Sequence, residues 1–178
     1  MTDNPPIKLL QSGADVTALA WALRAQPGVW DRNPARTKPP ASPHHGLHDV
    51  WARYCAPGQD ARQPHDAVWY PEADLLPVRG LVMPLMAMVG GVKLGGVLIT
   101  RIPPGATCKP HTDPGWHAQH YEKFAVQIES APGQEFCFDD TRLETKPGDV
   151  FWFDNSRTHW VTNPTRWDRV TLIACIRT

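Results

Sequence analysis

The 178-residue sequence predicts a mainly β fold, a double-stranded β-helix (jelly-roll) core with one or two N-terminal helices packed outside it. Three observations carry this expectation. From Gly90 onward, short runs rich in β-branched and aromatic residues follow one another to the C-terminus. Explicit turn sequences separate them: Pro103-Pro104-Gly105, Ala131-Pro132-Gly133, Lys146-Pro147-Gly148-Asp149, Asp154-Asn155-Ser156 and Asn163-Pro164. The 19 prolines and 13 glycines suit short strands joined by tight turns better than long helices, because proline removes a backbone donor and glycine supplies positive φ.

Taken in chain order, the first element is a helix. Val16, Leu19, Ala20 and Leu23 recur at i, i+3, i+4 and i+7 behind Ser12 or Asp15 as N-cap. Trp30 to Gly46 is rich in proline and basic residues and shows no apolar period, which predicts a loop or arm. Asp49 to Tyr54 alternates weakly as a strand would, and Gln59 to Pro71 reads as a second loop. Leu81, Leu85 and Met88 share a helical face within Leu75–Val89, although Pro84 limits that helix to a short or kinked one. Seven strands are then expected, at Val97–Ile102, Phe124–Glu129, Glu135–Phe138, Thr141–Thr145, Val150–Phe153, Thr158–Thr162 and Arg169–Ile176. Their regular spacing is that of a jelly roll. The expected organisation is one domain over 1–178, with 1–93 as a helical and loop N-terminal arm and support and 94–178 as the jelly-roll core.

Composition excludes several function classes. Lys+Arg 18 balances Asp+Glu 18, so no summed field favours polyanions, and a nucleic-acid partner is not expected. The longest apolar stretch, Leu81 to Val89, is broken by Pro84 and is too short to span a bilayer; Met1 to Leu10 lacks a basic region followed by an apolar run. No membrane partner and a cytoplasmic location are therefore expected. The four cysteines, Cys55, Cys108, Cys137 and Cys175, show no Cys-x-x-Cys spacing and read as reduced core thiols.

The chemistry concentrates in three places. In His111-Thr112-Asp113, an extended backbone would put imidazole and carboxylate on one face, where both reach one metal ion. A strand, a tight turn and Pro110 lead into it. His159 follows the turn at Asp154-Asn155-Ser156 on a later strand, and two histidines with one carboxylate make the facial triad of non-haem Fe(II) oxygenases. Ten residues on, Arg169 and Thr171 share a strand face, a guanidinium fork and a hydroxyl suited to the distal carboxylate of a dicarboxylic cosubstrate. His120-Tyr121-Glu122 is a rival with the spacing of the first motif. His44, His45 and His48 read as loop histidines, His117 and His120 as residues near a mouth, and Trp116, Trp152, Trp160 and Trp167 as core or pocket wall. Arg32, Arg36 and Lys38 read as a solvated basic cluster able to steer an anionic substrate.

Arg101-Ile102-Pro103-Pro104-Gly105 leading to His111-Thr112-Asp113, then Pro147-Gly148-Asp149-Val150-Phe151-Trp152-Phe153-Asp154-Asn155-Ser156 leading to His159, then Arg169, resembles the aspartyl/asparaginyl β-hydroxylase branch of the Fe(II)/2-oxoglutarate-dependent dioxygenases. The resemblance covers Leu94 to Thr178. It implies an oxidoreductase, a hydroxylase of an unactivated C–H bond in an amino-acid-like or peptidyl side chain, using Fe(II), 2-oxoglutarate and O2. It implies His111, Asp113 and His159 as metal-binding catalytic residues, and Arg169 as the ligand of the 2-oxoglutarate 5-carboxylate. Lys123 is the loosest carry-over, as the basic residue on the strand after the metal motif; Arg101 is an alternative. The animal peptide hydroxylase lacks the metal-binding carboxylate, so the presence of Asp113 sets this chain nearer to bacterial relatives. Halogenating relatives leave that position to a halide, so the carboxylate implies hydroxylation. The expected partner is a small-molecule or peptide substrate. Three alternatives stay open: a nucleic-acid oxygenase of the same metal class, a cupin-like metal enzyme independent of 2-oxoglutarate, and a non-catalytic binding module.

Overall fold

The computed structural model describes residues 5–178. Among the described residues, eleven strands form two antiparallel sheets. The larger has β1 (Ile7–Gln11), β9 (Val150–Phe153), β6 (Glu122–Glu129), β11 (Arg169–Arg177), β4 (Lys93–Ile102), β2 (His48–Cys55) and β3 (Ala67–Trp69), in that order across the sheet. The smaller runs β5 (Thr107–His111), β10 (His159–Thr162), β7 (Glu135–Phe138), β8 (Arg142–Glu144). This is the mainly β jelly roll that the turn spacing predicts.

Period-two alternation assigns the faces. Val170, Leu172, Ala174 and Ile176 on β11 pack with Phe124, Val126 and Ile128 on β6, with Val97 and Ile99 on β4, and with Leu19, Leu23, Val82 and Leu85 from the helices. Helices α1 (Thr17–Ala25) and α3 (Arg79–Met88) thus cover the outer face of the larger sheet. The intervening residues face the smaller sheet. Ala125, Phe151 and Phe153 meet Phe136 and Phe138 in a second core, and Arg169 and Thr171 point into the same space.

Two details differ from the sequence expectation. The helix expected within Leu75–Val89 is α3, preceded by a short α2 (Glu72–Leu75); α3 buries Val82 and Leu85 with Leu81 partly buried against the core, but Met88 of the expected face is exposed. The stretch read as arm and support also supplies β1, β2 and β3 to the larger sheet; β1 pairs with β9 and β2 with β4. The turn Pro147-Gly148-Asp149 needs its glycine. Gly148 has φ +88, and a Cβ there would stand 2.6 Å from the Ala14 carbonyl oxygen. The Gly148 carbonyl accepts from the Ala14 N–H at 2.9 Å, which ties the entry to α1 onto the barrel.

Candidate metal centre and its two cavities

β5 and β10 run antiparallel with His111 opposite His159 and Cys108 opposite Val161. Three steps on β5 therefore face two on β10, a bulge at Lys109-Pro110. Proline has no N–H to lose from the ladder, so this is a tolerated place for the extra residue. Strict alternation would put Cys108 and His111 on opposite faces; the bulge turns both inward, where both line one cavity. The strand ends at His111, so the expected alternation does not carry Asp113. Asp113 is held instead by its N–H donating to the Asn155 carbonyl at 3.0 Å, while Asn155 Nδ2 donates to the Ala118 carbonyl at 3.1 Å. The Asp154-Asn155-Ser156 turn thereby fixes the loop that presents the carboxylate.

The result is a close triad. Asp113 Oδ1 lies 3.9 Å from His111 Nε2, and Oδ2 lies 3.9 Å from His159 Nε2. All three donor atoms fall within 4.8 Å of one another. His111 Nδ1 approaches the Lys109 carbonyl at 2.7 Å and His159 Nδ1 the Arg157 carbonyl at 2.9 Å. A carbonyl only accepts, so each Nδ1 carries the hydrogen and each Nε2 lone pair faces the centre, the backbone contact fixing the tautomer and ring orientation that a metal-binding histidine needs. Burial holds both imidazoles below their ordinary pKa, with the Lys123 ammonium nearby acting in the same direction. Burial would raise the Asp113 carboxyl, but Lys123 Nζ donating to Oδ2 at 2.5 Å outweighs it and keeps the group anionic. Two neutral imidazoles and one carboxylate suit a divalent first-row cation.

Two cavities meet at this triad. The first runs between the sheets past Phe136, Phe153 and Ile173 to Arg169. Arg169 is 1% exposed, and burial lowers its pKa to about 10. Its Nη1 donates to Thr145 Oγ1 at 3.1 Å, whereas Nε and Nη2 are buried without a hydrogen-bond partner in the protein. Buried donors are nearly always paired, so this edge of the guanidinium fits a bound carboxylate. Thr171 lines the same cavity, its Oγ1 3.3 Å from Gln127 Oε1. The second cavity, open to solvent, is walled by Trp51, Tyr54, Leu98 and His117. Gly96 admits these rings, since a Cβ there would stand 3.0 Å from Tyr54 Cδ2 and 3.5 Å from His117 Cε1. Burial pushes His117 down to about 4 and Tyr54 up to about 12.

The remaining sequence candidates fall into place. His120 and Glu122 do not join the triad: His120 Nε2 contacts Arg177 Nη1 at 3.3 Å, and Glu122 accepts from Trp152 Nε1 at 3.1 Å. Arg101 lies over the Trp30 ring, away from both cavities. His45 and His48 contact the Lys38 carbonyl and Asp31, respectively, and Arg32 contacts Glu72. Trp116 donates to the Ala61 carbonyl and Trp167 is exposed. His44 and Arg36, read as loop and solvated residues, instead line both cavities. Arg36 makes a two-pronged contact with the fully buried Asp49, at 2.5 and 3.0 Å, and its Nη1 donates to His44 Nε2 at 3.1 Å. The His44 ring stands edge-on to His111 with centroids 4.8 Å apart, and burial, aided by Arg36, pushes it down to about 2. The one local signal for this cluster is the alternation over Asp49–Tyr54, which places Asp49 on the inner face.

Comparison with known proteins agrees with this geometry. The family model described as Aspartyl/Asparaginyl beta-hydroxylase matches residues 42–177, reaching upstream to include His44 and β2. No curated protein matches the sequence. Among solved structures, a Pseudomonas putida prolyl-4-hydroxylase is similar at 17% identity, TM-score 0.62, over 97% of this chain and 93% of that one. A viral collagen prolyl hydroxylase from Paramecium Bursaria Chlorella virus-1, solved as a 2-oxoglutarate complex, aligns at 13% identity, TM-score 0.59, over 99% and 97%. An oxidoreductase of the 2OG-Fe(II) oxygenase family from Burkholderia pseudomallei aligns at 15% identity, TM-score 0.57, over 75% and 67%. At these identities the likeness is one of fold.

Proposed function

Because the chain belongs to the aspartyl/asparaginyl β-hydroxylase family, we propose that it is an Fe(II)/2-oxoglutarate-dependent hydroxylase of an unactivated C–H bond in an amino-acid-like or peptidyl side chain. The observation that carries this reading is the free edge of Arg169, buried in a cavity whose other end is the His111–Asp113–His159 triad. His111 and His159 would hold iron through Nε2, and Asp113 through its carboxylate. Iron bound there, with 2-oxoglutarate and O2, supplies the oxidising power for oxygen insertion, which is the cofactor's chemistry rather than the protein's.

The chain's own residues do the rest. Arg169 takes the distal carboxylate of 2-oxoglutarate, with Thr171 beside it in the wall. Lys123 keeps Asp113 ionised and adds positive charge where a dicarboxylate must sit. Phe136, Phe153 and Ile173 keep the passage apolar, which strengthens the charged contacts at its ends. The second cavity is the place for the molecule to be hydroxylated, with Trp51, Tyr54 and His117 as its wall and His44 at the junction. Succinate release from 2-oxoglutarate by the Fe(II)-loaded protein in air, screened against free amino acids, peptides and single-stranded DNA, tests the reading. Release stimulated by an amino acid or peptide supports it. Stimulation only by DNA, or none by any member, refutes the substrate class, and failure to bind 2-oxoglutarate refutes the cosubstrate.

A further inference from the structure

We propose that Gln127 and Thr145 are positioning residues for Arg169, an uncharged buried bracket that ties up one guanidinium nitrogen and leaves the Nε/Nη2 edge for the distal carboxylate of the cosubstrate. This rests on the cosubstrate reading above. Gln127 lies on β6 and is fully buried. Its Nε2 donates to the Glu129 carbonyl at 2.7 Å and the Val170 carbonyl at 2.9 Å. Both partners only accept, so the amide cannot be turned over, and Oε1 must face the other way. Two hydroxyls reach that oxygen, Thr145 Oγ1 at 2.8 Å and Thr171 Oγ1 at 3.3 Å. An amide oxygen only accepts, so both hydroxyls donate to it. The Thr145 hydroxyl is left with lone pairs, and one of them accepts from Arg169 Nη1 at 3.1 Å. Two backbone carbonyls thereby set the direction of every hydrogen bond from Gln127 to Arg169. Thr145 is itself anchored, since its carbonyl accepts from Ser130 Oγ at 2.6 Å.

The absence of charge in the bracket is what makes it useful. A carboxylate at position 145 or 127 would hold Arg169 as firmly, but it would neutralise the guanidinium and compete with the incoming ligand. Among the described residues Arg169 has no ion-pair partner, while Arg36, the other arginine lining the cavity and only partly buried, is paired with Asp49. Nε–H and Nη2–H project from the same edge of the planar guanidinium, which is the edge that meets both oxygens of one carboxylate. The bracket thus orients the fork without spending its charge.

The test uses the full chain loaded with Mn(II), with 2-oxoglutarate, 2-oxoadipate and oxaloacetate titrated by calorimetry. Thr145→Val removes the hydroxyl at nearly constant volume, Thr145→Ser keeps it, and Thr145→Asp replaces it with a carboxylate. Thr145→Val is expected to weaken 2-oxoglutarate about ten-fold, the scale of one lost hydrogen bond to a charged group. It should also narrow the preference over the shorter and longer diacids, which a general loss of packing would not do. Thr145→Ser should restore wild-type affinity and preference. Thr145→Asp should weaken 2-oxoglutarate further than Thr145→Val, and Mn(II) affinity should be the same in all four proteins. Wild-type affinity in Thr145→Val, or equal affinity in the Ser and Asp variants, overturns the bracket; the second comparison decides alone if the Val variant does not fold. If wild type itself fails to bind 2-oxoglutarate, the cosubstrate reading fails instead.

Discussion

Replacing Arg169 with methionine should push stability and ligand affinity in opposite directions. The side chain is 1% exposed, its Nε and Nη2 have no partner, and burial already lowers its pKa to about 10. Burying a cation without a counter-charge costs several kcal/mol, whereas the one hydrogen bond to Thr145 returns about 1 kcal/mol. Methionine fills similar volume with no desolvation cost, so the ligand-free variant should be more stable than wild type by at least ~1 kcal/mol, or about 2–4 °C for a chain of this size. With Mn(II) and 2-oxoglutarate present the order should reverse. Wild type gains about 2.7 kcal/mol at a hundred-fold excess over its Kd, and a variant that binds the diacid roughly 30-fold or more weaker gains less than ~1 kcal/mol. Losing a charge-assisted two-pronged contact weakens binding by about 2–5 kcal/mol, which is roughly 30-fold or more. Arg169→Lys keeps the charge but loses the fork, and should fall between. Differential scanning fluorimetry of wild type and both variants, with and without 2-oxoglutarate, reads both quantities. A ligand-free Arg169→Met protein that melts below wild type, together with an undiminished thermal shift on adding 2-oxoglutarate, would refute the reasoning.

Asp113→Ala, His111→Ala and His159→Ala should each lose Mn(II) binding by electron paramagnetic resonance, while Glu122→Ala, which removes the acceptor of Trp152 and Thr178 away from the triad, should retain it. The ligand-free protein should lose stability on acidification, because His44 is held near 2 by burial and must charge against it. A folded value below the unfolded 6.5 means that this stability is complete above about pH 6.5 and falls with pH by up to ~1.4 kcal/mol per unit. His44→Gln keeps an acceptor for Arg36 and should flatten the urea-denaturation free energy between pH 6.5 and 4. A residual slope remains, since His111, His117 and His159 are lowered in the same direction. Gly148→Ala should cost roughly 2–4 kcal/mol, from positive φ and the clash with the Ala14 carbonyl, and lower the melting temperature accordingly.

What the sequence discloses, and what it withholds, follows the range of the interactions involved. Eight of the eleven described strands, β2 among them, are legible from short runs of strand-forming residues between turns, and the buried runs Phe124–Ile128 and Val170–Ile176 are the clearest of them. Arg169 is legible for a related reason: it opens a strand whose alternate residues are Val170, Leu172 and Ala174, so its own inward face is determined. β1 leaves no such mark, because Ile7–Gln11 is an edge strand with one buried residue. Asp113 is reached by a different route from the one alternation suggests, since Pro110 inserts a bulge and the carboxylate is placed by Asn155 from a turn forty-two residues later. Arg36 and His44 are the sharpest case. A proline-rich arm has no period, and a basic residue in it reads as solvated until something buried answers it. Here the answer is Asp49, whose carboxylate is enclosed on the inner face of β2 and would be a severe cost unpaired. That buried carboxylate draws Arg36 across the mouth, Arg36 hands its third nitrogen to His44, and His44 comes to rest against His111. The arm belongs to the site because one inward aspartate on a strand requires a cation, and the arm supplies it.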